Sequence, residues 1–237
     1  MAGSVWLGCG EVELTSRTGD PDISQSSSLL SDIDQVLQEA GVKLADVDLF
    51  CCATGPGSFT GLRIGIATLK GLASSLQRPC VGIPTLAAVA HAGGAGNATV
   101  SLLPAGRGEV FVQMFSVSEA GNVTELDSAA HLSPARMIAR YASVKNLKWA
   151  GPAAQLQRNL IESQARDSGI AFSDGTEPLP GSTGNGLWQL TEDEPNLARH
   201  VALLALRASA ANEIQSPQSL SAIYIRPSDA ELNQKCQ

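Results

Sequence analysis

One glycine-rich stretch constrains the fold of this chain more than any other part of the sequence. It reads Gly55-Pro56-Gly57-Ser58-Phe59-Thr60-Gly61-Leu62-Arg63 and joins a short apolar run, 49–53, to a longer apolar segment, 64–76. Glycine allows backbone conformations with positive φ, and proline fixes φ between the first two glycines. The stretch therefore predicts a tight corner between a buried strand and a helix, in which Ser58 or Thr60 caps the first N–H groups of the helix.

This corner is also a candidate anion site, because free N–H groups and the positive end of a helix point to the same place. The candidate nucleotide or phosphate loop consists of Gly55, Gly57, Ser58, Thr60 and Arg63. A P-loop needs lysine and then serine or threonine after its last glycine, where this chain has leucine and arginine. A dinucleotide loop needs a shorter glycine spacing and a later acidic residue, and a nucleophilic serine needs its own glycine frame. The residues leave a purely structural corner and an anion-binding corner both open.

The periodicity of apolar residues predicts an α/β protein with two lobes. Helical spacing over 29–40 predicts an amphipathic helix, and the apolar run before the corner predicts a strand buried in a parallel sheet. Glycines at 93–96 mark the boundary. We expect a first lobe at 1–95 and a second lobe at 96–237, with a long alanine- and leucine-rich helix at 196–213 in the second.

The remaining elements follow from shorter patterns. We expect a hairpin at 5–14 and strands at 47–53, 80–83, 99–103, 109–117 and 147–150. We expect further helices at 61–76, 84–92, 133–141 and 152–163. The segment 173–186 is rich in glycine and proline and is predicted to be a loop, and 222–226 is predicted to be extended.

The predicted helix at 61–76 contains Gly61, Gly65 and Gly71. A glycine inside a helix costs about 1 kcal/mol relative to alanine. We therefore expect another backbone to approach this helix closely.

Charge and cysteine content limit the function classes. The formal net charge is −7, which argues against a protein that holds RNA or DNA through its own surface. The five cysteines are an odd number without zinc spacing, and we expect reduced thiols, three of them buried as small hydrophobic residues. The sequence shows neither a membrane span nor a secretory signal, so we expect a cytoplasmic protein.

Metal and acid–base chemistry find little support in the sequence. The three histidines, His91, His131 and His200, lie far apart and lack the spacing of metal ligands. Acidic residues cluster only ahead of the helix at 196–213, where they favour the positive helix end. We predict no catalytic residues and no metal site.

The corner and the helix after it strongly resemble the TsaB (YeaZ) family. The resemblance is carried by the run 55–73, by Arg107-Gly108-Glu109-Val110-Phe111, and by Tyr224-Ile225-Arg226-Pro227 followed by Asp229-Ala230-Glu231-Leu232. Members of this family are bacterial subunits of the machinery that makes threonylcarbamoyladenosine in tRNA, and they are sometimes labelled peptidase M22 or glycoprotease-like. The resemblance covers nearly the whole chain and is weak between 117 and 193.

The resemblance implies the actin-like (ASKHA, ribonuclease H-like) fold with two α/β lobes and a non-catalytic role. Family members pair with a homologous catalytic subunit, TsaD, and help to recruit the ATPase TsaE, so that tRNAs reading ANN codons are reached only through the complex. The pairing uses the first two helices, here 29–40 and 61–76. The interface residues implied are Leu30, Ile33, Leu37, Gly61, Leu62, Gly65, Thr68, Leu69 and Leu72.

Three departures from the family pattern bear on this reading. The family usually begins with an apolar strand ending in Asp-Thr-Ser, whereas Met1 stands where that strand would end. Either the true start lies upstream of Met1, or the first lobe lacks its first, central strand. Loss of a central strand leaves the backbone groups of its neighbours unpaired and opens a gap in the core. Pro104-Ala105-Gly106 replaces an Asp-Ala-Arg, and Gln25 replaces a histidine. These departures weaken the case for independent catalysis and affect the case for a scaffold role less.

Two alternatives to a scaffold subunit stay open. One is an enzyme, either an ASKHA-type ATPase or sugar kinase that uses the corner for phosphate, or a metallopeptidase. A kinase would need an N-terminal aspartate to hold magnesium, and a metallopeptidase would need metal ligands that the three scattered histidines do not supply. No cofactor is expected beyond ATP or ADP at the interface with the partner. The other alternative is a homodimer that uses the same two helices.

Overall fold

The computed structural model describes residues 3–19, 25–175 and 185–225 of the 237-residue chain. The chain separates into two compact units. The first unit comprises Met1–Ala88 and Pro195–Tyr224, and the second comprises Val89–Glu194 and Ile225–Gln237. In the described ranges, no helix combines the length and the apolar character that a membrane span requires.

Strands and helices alternate along most of the chain. The strands are β1 Ser4–Cys9, β2 Val12–Thr18, β3 Phe50–Gly55, β4 Cys80–Pro84, β5 Gly96–Pro104, β6 Val110–Val117, β7 Val123–Glu125, β8 Ala130–Leu132, β9 Asn146–Ala150, β10 Ala171–Asp174 and β11 Leu187–Leu190. The helices are α1 Gln25–Ala40, α2 Phe59–Ser75, α3 Thr85–Ala92, α4 Pro134–Tyr141, α5 Pro152–Leu156, α6 Arg158–Asp167 and α7 Leu197–Ala210.

The described strands of the first unit form two separate two-stranded sheets. β1 and β2 make an antiparallel hairpin, and β3 and β4 run parallel with Phe50 opposite Cys80. Helix α7 packs against β1, β3 and β4, whereas α1 covers the hairpin and α2 covers β3. Among the described strands, β1 and β3 are not paired with each other.

Alternate residues of β3 pack into two apolar clusters, one on each face of the strand. Cys52 contacts the cluster that contains Ile66 and Leu69 of α2, whereas Cys51 contacts the cluster that contains Val201 of α7. The two neighbouring cysteines therefore face opposite helices, as their adjacent positions predict. Cys80 is buried, Cys51 and Cys52 are half-buried, and Cys9 is exposed; none of these four forms a disulfide.

The second unit has one continuous sheet in the order β10-β11-β9-β5-β6-β7, with β8 also paired to β6. Its central strand β5 runs parallel to β9 and antiparallel to β6. The core is aromatic: the ring centroids of Trp149 and Trp188 are 5.1 Å apart, and Tyr141 meets Trp149 edge-on at 6.1 Å. Edge-to-face contacts of this kind add stability beyond the area that the rings bury.

Several sequence expectations need correction in detail. The strand expected from 47 begins at Phe50, because Leu44–Asp46 form a 3-10 turn ahead of it. The helix expected at 152–163 breaks at Gln157 into α5 and α6. The predicted loop 173–186 overlaps the end of β10, and its residues 176–184 lie outside the described residues. The short strands β7, β8, β10 and β11 were not predicted.

The helix expected at 196–213 in the second lobe is α7, and it belongs to the first unit. Its buried residues Val201 and Ala205 join one apolar cluster with Val81 and Ile83 of β4. Contact with the parallel pair, rather than position in the sequence, decides which unit the helix joins. The extended piece expected at 222–226 is not a strand in its described part, although the Ile223 N–H donates to the Thr54 carbonyl at 2.7 Å.

Candidate interaction surface at the glycine corner and helix α2

The first glycine of the corner is required by packing inside the first unit. Gly55 has a φ of +113°, and a Cβ there would lie 2.6 Å from the Ile223 carbonyl oxygen. Its N–H donates to Thr85 Oγ1 at 3.1 Å. An L side chain at this position would be strained and would displace the Ile223 backbone. Gly55 therefore has an internal explanation that needs no ligand.

The next residues of the corner start α2. Ser58 Oγ accepts a hydrogen bond from the Gly61 N–H at 3.3 Å, and the Ser58 carbonyl accepts from the Leu62 N–H at 2.9 Å. Ser58 is thus the N-cap that the sequence predicted. Thr60 is exposed, and Gly57 leaves ordinary van der Waals space to the Leu62 side chain, 3.8 Å away. The Ser58 hydroxyl is engaged with the helix itself.

Arg63, the fifth residue of the candidate loop, lies in a cluster with two aromatic rings. Its guanidinium carbon is 3.8 Å from the Phe59 ring centroid, and its Nε donates to the Tyr224 hydroxyl at 3.3 Å. The two ring centroids are 5.5 Å apart, and both rings are exposed by more than a third. The cluster holds a positive charge at the surface beside the corner. The sequence did carry a signal for the contact between Phe59 and Arg63, because residues four positions apart lie on one face of a helix.

The rest of α2 contains both buried residues and two glycines with open space at the position of a Cβ. Ile66, Leu69 and Ala73 are buried in the core of the first unit. A Cβ at Gly65 or Gly71 would find no heavy atom within 4 Å in the described ranges. The close neighbour that these glycines predict is therefore not found there.

The interface residues predicted from the resemblance fall into two groups. Leu30 is 64% exposed, and Ile33, Gly61, Leu62, Thr68 and Leu72 are half-buried, so these can contribute to a surface. Leu37 and Leu69 are each less than a tenth exposed. These two side chains stabilise the first unit itself, which corrects their assignment to a partner surface.

Helix α1, which packs beside α2, carries acidic side chains. Arg17 of β2 lies 3.5 Å from both Asp32 and Glu39 of this helix. In α2, Lys70 donates to the Leu220 carbonyl at 2.9 Å, so its charge is held against the chain. These two carboxylates of α1 are therefore paired within the first unit, and Arg63 is the cation of α2 that lies beside the corner.

The described residues contain no group of three or more metal-binding side chains. In the second unit, His131 Nε2 is 2.9 Å from a Glu109 carboxylate oxygen. Burial raises the pKa of the Cys51 and Cys52 thiols to about 12; the second cause is the charge of Cys52 for Cys51 and the charge of Cys80 for Cys52. Both thiols are therefore protonated at neutral pH and are poor nucleophiles.

Known proteins resemble this chain over most of its length. Residues 24–173 match the family model described as TsaD: tRNA N6-adenosine threonylcarbamoyltransferase. Over 157 residues the chain is 29% identical to the tRNA threonylcarbamoyladenosine biosynthesis protein TsaB of Escherichia coli, covering 64% of this chain and 66% of that protein. It is 38% identical over 80 residues to TsaB of Haemophilus influenzae, covering 34% and 31%. The chain spans less than two thirds of the length of these curated relatives.

A solved structure resembles the whole fold. YeaZ from Pseudomonas aeruginosa superposes with a TM-score of 0.67 at 22% identity, covering 93% of each chain. The chain also matches a tRNA N6-adenosine threonylcarbamoyltransferase of Gluconobacter oxydans, at 29% identity over 63% of this chain and 40% of that protein. These findings confirm the α/β, actin-like fold class that the sequence resemblance implied.

Proposed function

Because this chain belongs to the family described as TsaD: tRNA N6-adenosine threonylcarbamoyltransferase, as a member of its TsaB (YeaZ) group, we propose that it is a non-catalytic subunit in the formation of threonylcarbamoyladenosine in tRNA. It forms a heterodimer with a TsaD-type catalytic subunit through α1 and α2. The heterodimer recruits a TsaE-type ATPase in the cytoplasm, and tRNA binds to the complex rather than to this acidic chain alone.

One observation carries this proposal: the two glycines of α2 that meet no other described residue. Gly65 and Gly71 cost helix stability, and the described part of the chain gives them no packing role. Small residues on a helix let a second helix backbone approach closely. A homologous subunit that packs its own helices against α1 and α2 would use this space.

Two further features support a docking surface at the same place. Leu30 of α1 leaves 64% of its surface exposed, and Leu62 and Leu72 of α2 are only half-buried. Exposed apolar groups of this kind are expected where a partner covers them. The Arg63 guanidinium beside the corner supplies a positive charge for a carboxylate of the partner, or for a phosphate held between the two subunits.

Co-purification with a TsaD-type subunit tests the proposal. Gly65→Leu adds four carbons to the face that meets no described neighbour, and we expect it to abolish co-elution. Ala139→Leu is the matched control, because Ala139 is an exposed residue of α4 in the second unit, outside α1 and α2. Co-elution of Gly65→Leu at the level of the unchanged chain would contradict the proposed interface.

Calorimetry distinguishes a scaffold subunit from an enzyme as the function of this chain. With ATP or ADP, we expect no turnover by the isolated chain, and binding only when the TsaD-type subunit is present. ATP hydrolysis by the isolated chain would contradict the non-catalytic role, whatever the outcome of the Gly65 experiment.

A further inference from the structure

Three side chains from distant parts of the sequence meet on the surface of the first unit. Phe59 and Arg63 lie four positions apart at the start of α2, and Tyr224 lies 161 positions after Arg63. We call these three residues the arginine cluster. All three are exposed, so a protein that covers the start of α2 would contact them.

The arginine cluster fixes the orientation of the Arg63 guanidinium. Its carbon lies 3.8 Å from the centroid of the Phe59 ring, within the range of a cation–π contact. Its Nε donates to the Tyr224 hydroxyl at 3.3 Å. These contacts use one face and one N–H of the guanidinium. Its two Nη groups, which carry the remaining donors, form no hydrogen bond or ion pair with a residue that the structure describes.

Other cations beside α2 are already engaged within the first unit. Lys70 donates to the Leu220 carbonyl at 2.9 Å, and Arg78 lies 3.2 Å from the Asp48 carboxylate. Arg63 differs from them, because aromatic groups hold its side chain in place and no described carboxylate or carbonyl occupies its Nη groups. The guanidinium is therefore oriented for an anion from outside the described chain.

Exposed apolar side chains accompany this guanidinium. Phe59, Tyr224 and the neighbouring Ile223 are each exposed by more than a third. Tyrosine and arginine are enriched among the residues that dominate binding energy at protein interfaces, where surrounding contacts exclude water. This composition is typical of the centre of a protein interface rather than of a site for a small hydrated ion.

Charge indicates which anion fits the arginine cluster. The cluster supplies one positive charge, and the whole chain has a formal net charge of −7. A terminal phosphate carries about two negative charges at neutral pH, whereas a carboxylate carries one. Two parallel N–H donors of an arginine also match the two oxygens of a carboxylate. A single carboxylate therefore matches both the charge and the shape of the unpaired edge.

Given the heterodimer proposed above, on which this inference rests, we propose that the arginine cluster binds one aspartate or glutamate carboxylate of the TsaD-type subunit at the centre of the interface. The Nη groups of Arg63 donate to the two carboxylate oxygens. Tyr224 is a positioning residue, because its hydroxyl accepts from Nε and keeps the guanidinium edge turned outward. The segment that carries Tyr224 thereby joins an interface that the sequence places on α1 and α2 alone.

Titration calorimetry with a purified TsaD-type subunit, in buffer without nucleotide or phosphate, tests this contact. We expect Arg63→Ala to raise the Kd at least about 30-fold, because it leaves the carboxylate of the partner buried and unpaired. Arg63→Lys keeps the charge but loses the planar fork and the stacking on Phe59, and should raise the Kd about tenfold. Arg136→Ala is the matched control, because Arg136 is an exposed arginine of α4 in the second unit.

Two measurements separate a carboxylate contact from a purely structural role. Tyr224→Phe should raise the Kd about fivefold in the unchanged chain and have no further effect on Arg63→Ala, because the hydroxyl acts through Arg63. Arg63→Glu should abolish binding, and replacement of one exposed acidic residue of the TsaD-type subunit by lysine should restore it. Far-UV circular dichroism checks the fold of each variant, and Arg63→Lys with Tyr224→Phe carry the test if Arg63→Ala does not fold.

The outcomes distinguish this contact from the heterodimer itself. Failure of the unchanged chain to bind the TsaD-type subunit would contradict the proposed function and this inference with it. An unchanged Kd for Arg63→Ala, or no restoration by any lysine in the partner, would overturn the carboxylate contact alone. A loss of affinity that arises only when ATP or ADP is present would also overturn it, because Arg63 would then hold a phosphate.

Discussion

Replacing the glycines of α2 that meet no other described residue by alanine should stabilise the isolated chain. A Cβ at Gly65 or Gly71 meets no heavy atom within 4 Å of the described residues, so alanine adds no clash. Alanine is favoured over glycine in a helix interior by about 1 kcal/mol. The two positions are about 9 Å apart along the helix and share no partner among the described residues, so the double variant should gain about 2 kcal/mol.

Thermal unfolding followed by far-UV circular dichroism measures this gain. For a chain of this size, about 1 kcal/mol corresponds to a rise in Tm of about 2–4 °C, so the double variant should rise by about 4–8 °C. Gly82→Ala is the contrasting control, because its Cβ would lie 2.5 Å from Thr54 Cγ2 and 2.6 Å from Leu220 Cδ1. Overpacking of this kind costs about 1–3 kcal/mol. Loss of stability in Gly65→Ala would refute the reasoning, since this face would then be covered within the isolated chain and closed to a partner.

Two further predictions concern groups away from this helix. Tyr141→Phe removes a hydroxyl that donates to the Asp127 carboxylate at 2.8 Å, which still pairs with Arg140 at 2.8 Å. The variant should have a free energy of unfolding in urea that is lower by about 1–2 kcal/mol. An unchanged urea midpoint would contradict this prediction. Burial raises the pKa of the Cys51 thiol from 9.0 to about 12, so the folded chain holds this proton more tightly than the unfolded chain. The stability that this protonated thiol contributes is present below about pH 9 and is lost as the pH rises towards about 12. The urea midpoint of Cys51→Ala should therefore fall less across this range than that of the unchanged chain. An equal fall in the variant and the unchanged chain would argue against this prediction.

Local patterns predicted the elements whose signals lie within a few residues. The spacing of Ile66, Leu69 and Ala73 fixes one buried face of α2, and the glycine corner with Ser58 fixes where the helix begins. Strands of three or four residues, such as β7 and β11, carry too few residues for an alternating pattern to stand out.

Tertiary choices were less accessible to the sequence. Apolar periodicity shows that α7 has a buried face, but not which sheet it covers, and its packing on β4 places it in the first unit. Core and interface both favour leucine on a helix, so Leu37 and Leu69 could not be told apart from surface positions before their burial was known. Tyr224 is 161 positions from Arg63 in the sequence, and only the fold brings its hydroxyl to the guanidinium.

The glycines of this region differ in whether the described fold accounts for them, and we use that difference to predict where a partner binds. Gly55 has a positive φ, and a Cβ on it would lie 2.6 Å from a carbonyl oxygen, so selection for the fold suffices to keep it. Gly65 and Gly71 lie inside a helix and meet no described neighbour, so for the isolated fold they are only a cost. A cost that the described fold does not offset is evidence for a contact outside that fold. The corner is thus a structural device that starts the helix, and the outer face of α2, rather than the corner, is where we expect a partner to bind.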